Sequence, residues 1–196
     1  MTFFLPVYLF AYLGTAFFWR SFLVWKRTGI IPYRLGISDR VHDLIGGVLQ
    51  LAVGGTIFVV MIYAGFRGLY PYLTPIPWLE LPTLQITGLA LLAVSLIWIV
   101  IAQAQMGNSW RVGIDTSHKT ELVQTGLYKL SRNPIFLGMR VNLLGFFLIL
   151  PNAFSLAIWV LGDVAIQIQV RLEEEHLSKL HGERYLSYRQ RTRRWI

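Results

Sequence analysis

The chain has 196 residues, of which 55% are hydrophobic and only 14% charged, against roughly 25% charged in a soluble domain. Twelve Phe, nine Tyr and seven Trp exclude disorder, a soluble globule this small cannot bury so much apolar surface, and the lack of Cys excludes disulfide, zinc-thiolate and cysteine-nucleophile chemistry. A net charge of +8 in so apolar a chain points to basic loops at an anionic bilayer rather than to nucleic acid.

In chain order, the first apolar run is Phe3 to Trp25, broken only by Arg20 near its end. No basic segment precedes it and no small-residue cleavage site follows, so it reads as a span rather than a cleaved signal peptide. The second run is Leu44 to Phe66 and the third Leu84 to Ala102, each near the roughly 20 residues that cross a bilayer. A Pro- and aromatic-rich stretch, Pro71 to Pro82, lies between them. The fourth run, Pro134 to Leu150, and the fifth, Ala153 to Val170, are shorter and flank Pro151-Asn152, which predicts a helical hairpin. The pattern predicts an all-α integral membrane protein with five transmembrane helices.

Five spans place the termini on opposite sides. Four Lys and Arg lie in 26–40, four in 107–133 and seven from Arg171 onward, all on one side, whereas the opposite side holds only Arg67. The positive-inside rule puts the N-terminus outside and the C-terminus in the cytoplasm. Residues 1–106 then form a three-span scaffold. Residues 107–196, comprising a cytoplasmic loop, the hairpin of spans four and five and a C-terminal helix, form the working region.

Within that region polar residues interrupt the spans: Arg140 and Asn142 in the fourth, Asp163, Gln167 and Gln169 in the fifth. A charge at that depth faces a partner or a wet cavity. Folding the hairpin at 151–152 sets position 140 opposite 163, which predicts an Arg140–Asp163 pair. Asp163, Gln167, Arg171 and Glu174 share one face of a continuous helix that runs on into Glu173, Glu174 and Glu175, a cluster able to receive a cation. Ser131-Arg132-Asn133-Pro134 reads as a helix start, with Asn133 at the N-cap and Pro134 at N1. The free N–H groups beside Arg132 offer an anion site. Gly126 would let backbone approach a ligand closely. His118 stands alone in a polar loop. No metal-ligand, P-loop or dinucleotide-binding motif is present.

Two stretches resemble the isoprenylcysteine carboxyl methyltransferase family. His118, Leu122, Val123, Gly126, Tyr128, Arg132, Asn133, Pro134 and Gly138 follow its pattern G-x-Y-x-x-x-R-[HN]-P-x-[YF]-x-G with the upstream His. Glu174, Glu175, Tyr185, Tyr188 and Arg191 follow its tail pattern E-E-x-x-L…G-x-x-Y-x-x-Y-x-x-R. The match covers about residues 107–196. It departs at Asn133, where His is common, at Phe136, where Tyr is common, and in a tail that ends Arg193-Arg194-Trp195-Ile196 without proline. The resemblance implies S-adenosyl-L-methionine as methyl donor, bound at the cytoplasmic end of the last two spans by His118, Leu122, Val123, Gly126, Tyr128, Arg132, Asn133, Pro134, Gly138 and Glu174. It implies catalytic roles for Glu174, Glu175 and Arg191, the last near the acceptor carboxylate, and no metal. The acceptor would be a lipophilic small molecule or prenylated peptide entering from the bilayer. A carboxylate is already ionised near neutral pH, with an ordinary pKa of about 3.3–4.3, so its methylation needs alignment and exclusion of water rather than a base. Two other enzymes fit the scaffold: a phospholipid or small-amine methyltransferase, and an NADPH-dependent membrane reductase. A transporter fits less well, because the polar groups cluster in one half of the bilayer.

Overall fold

The computed structural model describes residues 1–29, 40–110 and 121–196. Apart from one antiparallel bridge between Pro75 and Asn152, their regular structure is helical. Helix α1 (Phe4–Leu13) passes through a π-helical segment (Gly14–Trp19) into α2 (Arg20–Thr28). Next come α3 (Arg40–Gly65), α4 (Pro82–Met106), α5 (Pro134–Ile149), α6 (Ala153–His181) and α7 (Glu183–Arg191).

Four helices are long and apolar enough to cross a bilayer: Phe4–Thr28, Val41–Gly65, Pro82–Met106 and Ala153–His181. The fifth expected span, α5, has 16 residues. At about 1.5 Å per residue it is roughly 24 Å long, short of the ~30 Å hydrocarbon core. It is cut at one end by Pro134 and at the other by the Pro151-Asn152 turn. The last long helix runs unbroken to His181, as the polar stripe from Asp163 to Glu174 predicts. Large apolar side chains such as Phe10, Phe18 and Leu51 face outward, as lipid contact requires.

Helices α4 and α5 pack closest. A side chain at Gly88 would meet the Gly145 carbonyl at 2.8 Å, and one at Gly145 would meet the Gly88 carbonyl at 3.1 Å. Small residues let two backbones approach where lipid provides no hydrophobic drive. Buried polar groups fasten the same crossing. Asn142 Nδ2 donates to the Tyr8 hydroxyl (2.5 Å) and to Ser95 Oγ (3.0 Å), and Tyr8 donates to the Leu92 carbonyl (2.8 Å). Asn142 therefore joins α1, α4 and α5. Around it Leu5, Leu9, Val59, Val60, Leu92 and Phe146 form the apolar core.

The predicted Arg140–Asp163 pair is present. Arg140 Nε donates to Asp163 Oδ1, Gln167 Nε2 donates to Asp163 Oδ2, and the Arg140 guanidinium lies 4.5 Å from the Trp195 ring centre. At the far end of the molecule, the segment after α3 is tied to the hairpin turn mainly by backbone, beside a 3.5 Å bond from Asn152 Nδ2 to the Tyr70 hydroxyl. Ile76 N–H donates to the Pro151 carbonyl (2.8 Å) and Ala153 N–H to the Thr74 carbonyl (3.0 Å). Asn152 and Ser155 cap α6 reciprocally.

Candidate functional site

At the α7 end, the helices part around a cavity of about 500 Å³. One wall is apolar, built from Tyr12, Leu13, Ala16 and Phe17 of the first span and Leu49, Val53 and Ile57 of α3. The other carries Tyr128, Arg132, Asn133, Gln169, Glu173, Tyr185 and Tyr188. The π-helical segment shapes the apolar wall. Such a bulge frees a carbonyl from the helical ladder, and here Gln103 Nε2 donates to the Ala16 carbonyl at 2.8 Å. Arg20, just beyond, donates to the Gly107 carbonyl at 2.6 Å. Both halves of the chain line the cavity.

Glu174 is the most heavily bonded side chain at this end. Its Oε1 accepts from Arg132 Nε (3.1 Å), Arg132 Nη2 (3.0 Å) and Asn133 Nδ2 (2.9 Å). Its Oε2 accepts from Arg194 Nε (3.2 Å) and Nη2 (2.8 Å). Arg132 Nη1 also donates to the carbonyls of Arg189 and Thr192, and its backbone N–H to that of Arg193. Tyr188 adds a bond from its hydroxyl to the Tyr128 carbonyl at 2.6 Å. Together these bonds hold α7 and the tail over the cavity. The hydrogen bonds that Arg194 donates to Glu174 raise the Arg194 pKa above its ordinary value. Burial pushes the Tyr188 hydroxyl up to about 12, and raises those of Tyr128 and Tyr185 as well.

Two sequence expectations are modified here. Asn133 does precede Pro134 at the start of α5, but its side chain makes no cap; it turns to Glu174 instead. The anion met by Arg132 is likewise the protein's own Glu174, with both side chains under 10% exposed. A carboxylate already accepting five N–H groups has little capacity left for a ligand amine.

Of the other predicted residues, Leu122, Val123, Tyr128, Arg132, Asn133 and Pro134 line the cavity. Gly126 and Gly138 do not. Gly126 has positive φ and packs on the Gln105 side chain, and Gly138 packs on Ile99 and Trp98 of α4. Glu175 is exposed and pairs with Lys179 at 2.7 Å. Arg191 is exposed and bonds back to the Ser187 carbonyl of its own helix. His118 lies outside the described residues. Sequence reasoning put Glu173 in the acidic cluster but paired Glu174 with Glu175, although Glu173 is the member of that cluster on the cavity wall. Counting E-E-x-x-L back from Leu177 begins the motif at Glu173. Gln169 sits one turn earlier on the same face, a spacing that also marks it.

Among the described residues no group of three or more His, Cys, Asp or Glu could hold a metal ion. A cationic, amphiphilic ligand suits the cavity. Buried polar atoms on its wall lack partners, namely Tyr128 Oη, Gln169 Oε1 and Tyr185 Oη, and folded proteins rarely leave such atoms unpaired. S-adenosylmethionine, with an ammonium, ribose hydroxyls and a sulfonium, meets those needs. No curated protein and no solved structure matches the chain. The phospholipid methyltransferase family model matches residues 83–184, spanning α4 through the start of α7 and the polar wall's residues from Tyr128 to Glu173. The chain belongs to the phospholipid methyltransferase family, within the isoprenylcysteine carboxyl methyltransferase group of integral membrane methyltransferases.

Proposed function

We propose that the protein transfers a methyl group from S-adenosyl-L-methionine to a nucleophile carried on a membrane lipid. The observation that carries this reading is the two-sided cavity. An apolar wall reaches from the first span to α3, and facing it is a polar wall with unpartnered hydroxyl and amide groups beside the Glu173 carboxylate. The apolar side accommodates a hydrocarbon chain, and the polar side a soluble cation.

The bound donor supplies an electrophilic methyl carbon on a sulfonium, which leaves with the C–S electron pair. The protein's part is to align and to dry the site. Leu122, Val123 and Pro134 would hold the donor's apolar surface, and Tyr128, Asn133 and Tyr185 would offer polar groups to it. Arg132 and Glu174 hold α7 and the tail in place above, excluding water. This is rate enhancement by positioning.

In this reading the chain crosses the bilayer five times, α5 being the short crossing, with the N-terminus outside and the site in the cytoplasmic leaflet. Residues 1–106 are the scaffold and 107–196 the catalytic region, with His118 among the residues assigned to the donor. The first acceptor we assign is the carboxylate of a prenylated-cysteine-like lipid, entering sideways from the bilayer and held by Arg191. A second acceptor, an amine-bearing phospholipid, is favoured by one observation. Arg132, the one guanidinium lining the cavity among the described residues, is committed to Glu174, which leaves no such group there for an acceptor carboxylate. Radiolabelled methyl transfer to a prenylcysteine mimic, compared with an ethanolamine phospholipid, tests the assignment. Transfer to neither, with S-adenosylhomocysteine failing to bind, would overturn it.

A further inference from the structure

Arg20 is a charge within the first span for which the described residues supply no counter-charge. It follows the π-helical segment, at the start of α2 and inside the apolar helix Phe4–Thr28. Ala16 stands one turn before it and Val24 one turn after it, each 1% exposed, so Arg20 shares the inward face of that helix. Its Nη2 donates to the Gly107 carbonyl at 2.6 Å, while its Nε is buried without a partner. The ion pairs among the described residues join Glu174 to Arg132 and Arg194, Asp163 to Arg140, and Glu175 to Lys179; none includes Arg20. A charge in such a place is costly and calls for an anion.

The surroundings of Arg20 indicate what carries that anion. Arg20 stands at the cavity rim: Phe17 and Phe18 just before it, and Met106 and Ser109 on either side of Gly107, all line the cavity. Its charge also reaches the Tyr128 hydroxyl on the polar wall, where it opposes the rise in pKa that burial causes. The apolar wall runs along the same helix from Tyr12 to Phe17, so a hydrocarbon chain lying on it puts its head beside Arg20. An amphiphile with an anionic head fits that layout. A carboxylate that is itself the nucleophile has to lie inside, against the donor's methyl group. A phosphodiester does not. In an ethanolamine phospholipid the reacting nitrogen stands an ethylene spacer beyond the phosphate, so the phosphate can stay at the rim while the amine enters. A guanidinium suits a phosphate, because its planar fork offers paired N–H donors.

We propose that Arg20 anchors the phosphate of a phospholipid acceptor at the cavity rim and so directs the lipid's amine inward. Arg20 lies outside the segment 83–184 that the family model matches, which makes it a specificity residue contributed by the scaffold half of this chain. The assignment rests on the amine-phospholipid reading of the acceptor.

Two measurements on the full-length protein in neutral detergent test the anchor: binding of a spin-labelled ethanolamine phospholipid without donor, and KM and kcat for methylation of the unlabelled lipid. Arg20→Gln should weaken phospholipid binding and raise KM by roughly 10- to 100-fold, as expected for lost hydrogen bonds to a charged group. It should leave kcat and S-adenosylhomocysteine affinity at wild type. A long-chain amine without phosphate should lose no affinity in the same variant. Arg20→Lys keeps the charge but not the fork and should recover part of the loss; if Arg20→Gln does not fold, the several-fold weakening expected of Arg20→Lys decides. Equal losses for the phospholipid and the phosphate-free amine would overturn the anchor. So would unchanged phospholipid affinity with only a lower melting temperature, which would leave Arg20 as a structural tie to Gly107. A fall in S-adenosylhomocysteine affinity alone, or methyl transfer confined to the prenylcysteine mimic, would overturn it as well. If wild type binds neither S-adenosylhomocysteine nor phospholipid and methylates no lipid, the methyl-transfer reading fails together with the anchor. If wild type methylates the phospholipid and Arg20→Gln does so with the same KM, the anchor alone fails.

Discussion

Replacing Glu174 with Gln should unfasten the α7 end of the molecule. The carboxylate is 5% exposed and the Arg132 side chain 8%, so the change strands a buried guanidinium beside a neutral amide. Breaking one side of a buried pair costs about 3–5 kcal/mol. Arg194, at 32% exposure, can turn toward water, so its share is on the order of 1 kcal/mol or less. The main penalty therefore comes from Arg132. At roughly 2–4 °C per kcal/mol for a chain of this length, Glu174→Gln should lower the melting temperature by about 6–20 °C. Arg194→Ala should cost a few degrees at most. Because the two share one carboxylate, the double variant should lose less than the sum of the singles. Thermal unfolding in detergent, followed by tryptophan fluorescence, measures all three. A Glu174→Gln protein that melts with wild type would refute the idea that this carboxylate is a structural clamp.

Asp163→Asn should destabilise by about 1–3 kcal/mol, below the fully buried range because both partners of the Arg140 pair are about a quarter exposed. Adding Arg140→Gln should recover part of that loss, and strictly additive losses would show that the two do not couple. Gly145→Ala should cost about 1–3 kcal/mol by overpacking against Gly88 and Leu92, read as a lowered melting temperature. Glu175→Gln should leave melting unchanged, since an exposed helix-surface pair contributes little. Arg191→Lys keeps the charge but loses the planar fork. Under the carboxylate-acceptor reading it should lower turnover while donor affinity stays at wild type, and full activity would remove Arg191 from the mechanism.

Some of the structure is legible in the sequence because a single dimension carries it. Run length gives the long helices, and reflection about Pro151-Asn152 gives Arg140 opposite Asp163. Helical phase carries the polar stripe of α6 past the membrane region. What fails to show is whatever depends on which of several neighbouring groups turns where. Arg132, Asn133 and Glu174 each read as ligand residues from their chemistry, yet Arg132 and Glu174 satisfy one another, a choice fixed by α6 passing α5 at that height. Glu173 and Glu175 look alike as letters. Two steps of about 100° around the helix put one on the cavity wall and the other beside Lys179. Asn142 signals a buried partner, but nothing in one sequence says that Tyr8, 134 residues away, supplies it. The π-helical segment has no hydropathy signature, since its residues are as apolar as those around them.

The two ends of the molecule are joined by different kinds of bond. At the hairpin turn, Thr74, Ile76, Pro151 and Ala153 meet through main-chain groups, which every residue type possesses apart from the N–H that proline lacks. At the α7 end the joints are the side chains of Arg132, Asn133, Glu174 and Arg194, which few substitutions can replace. Mutational drift should therefore be unequal. The loop around Thr74 and Ile76 can change its letters while keeping its shape, and a library randomised there should retain many folded members. The same randomisation at positions 132, 174 and 194 should retain few, and the survivors should carry compensating pairs of charges.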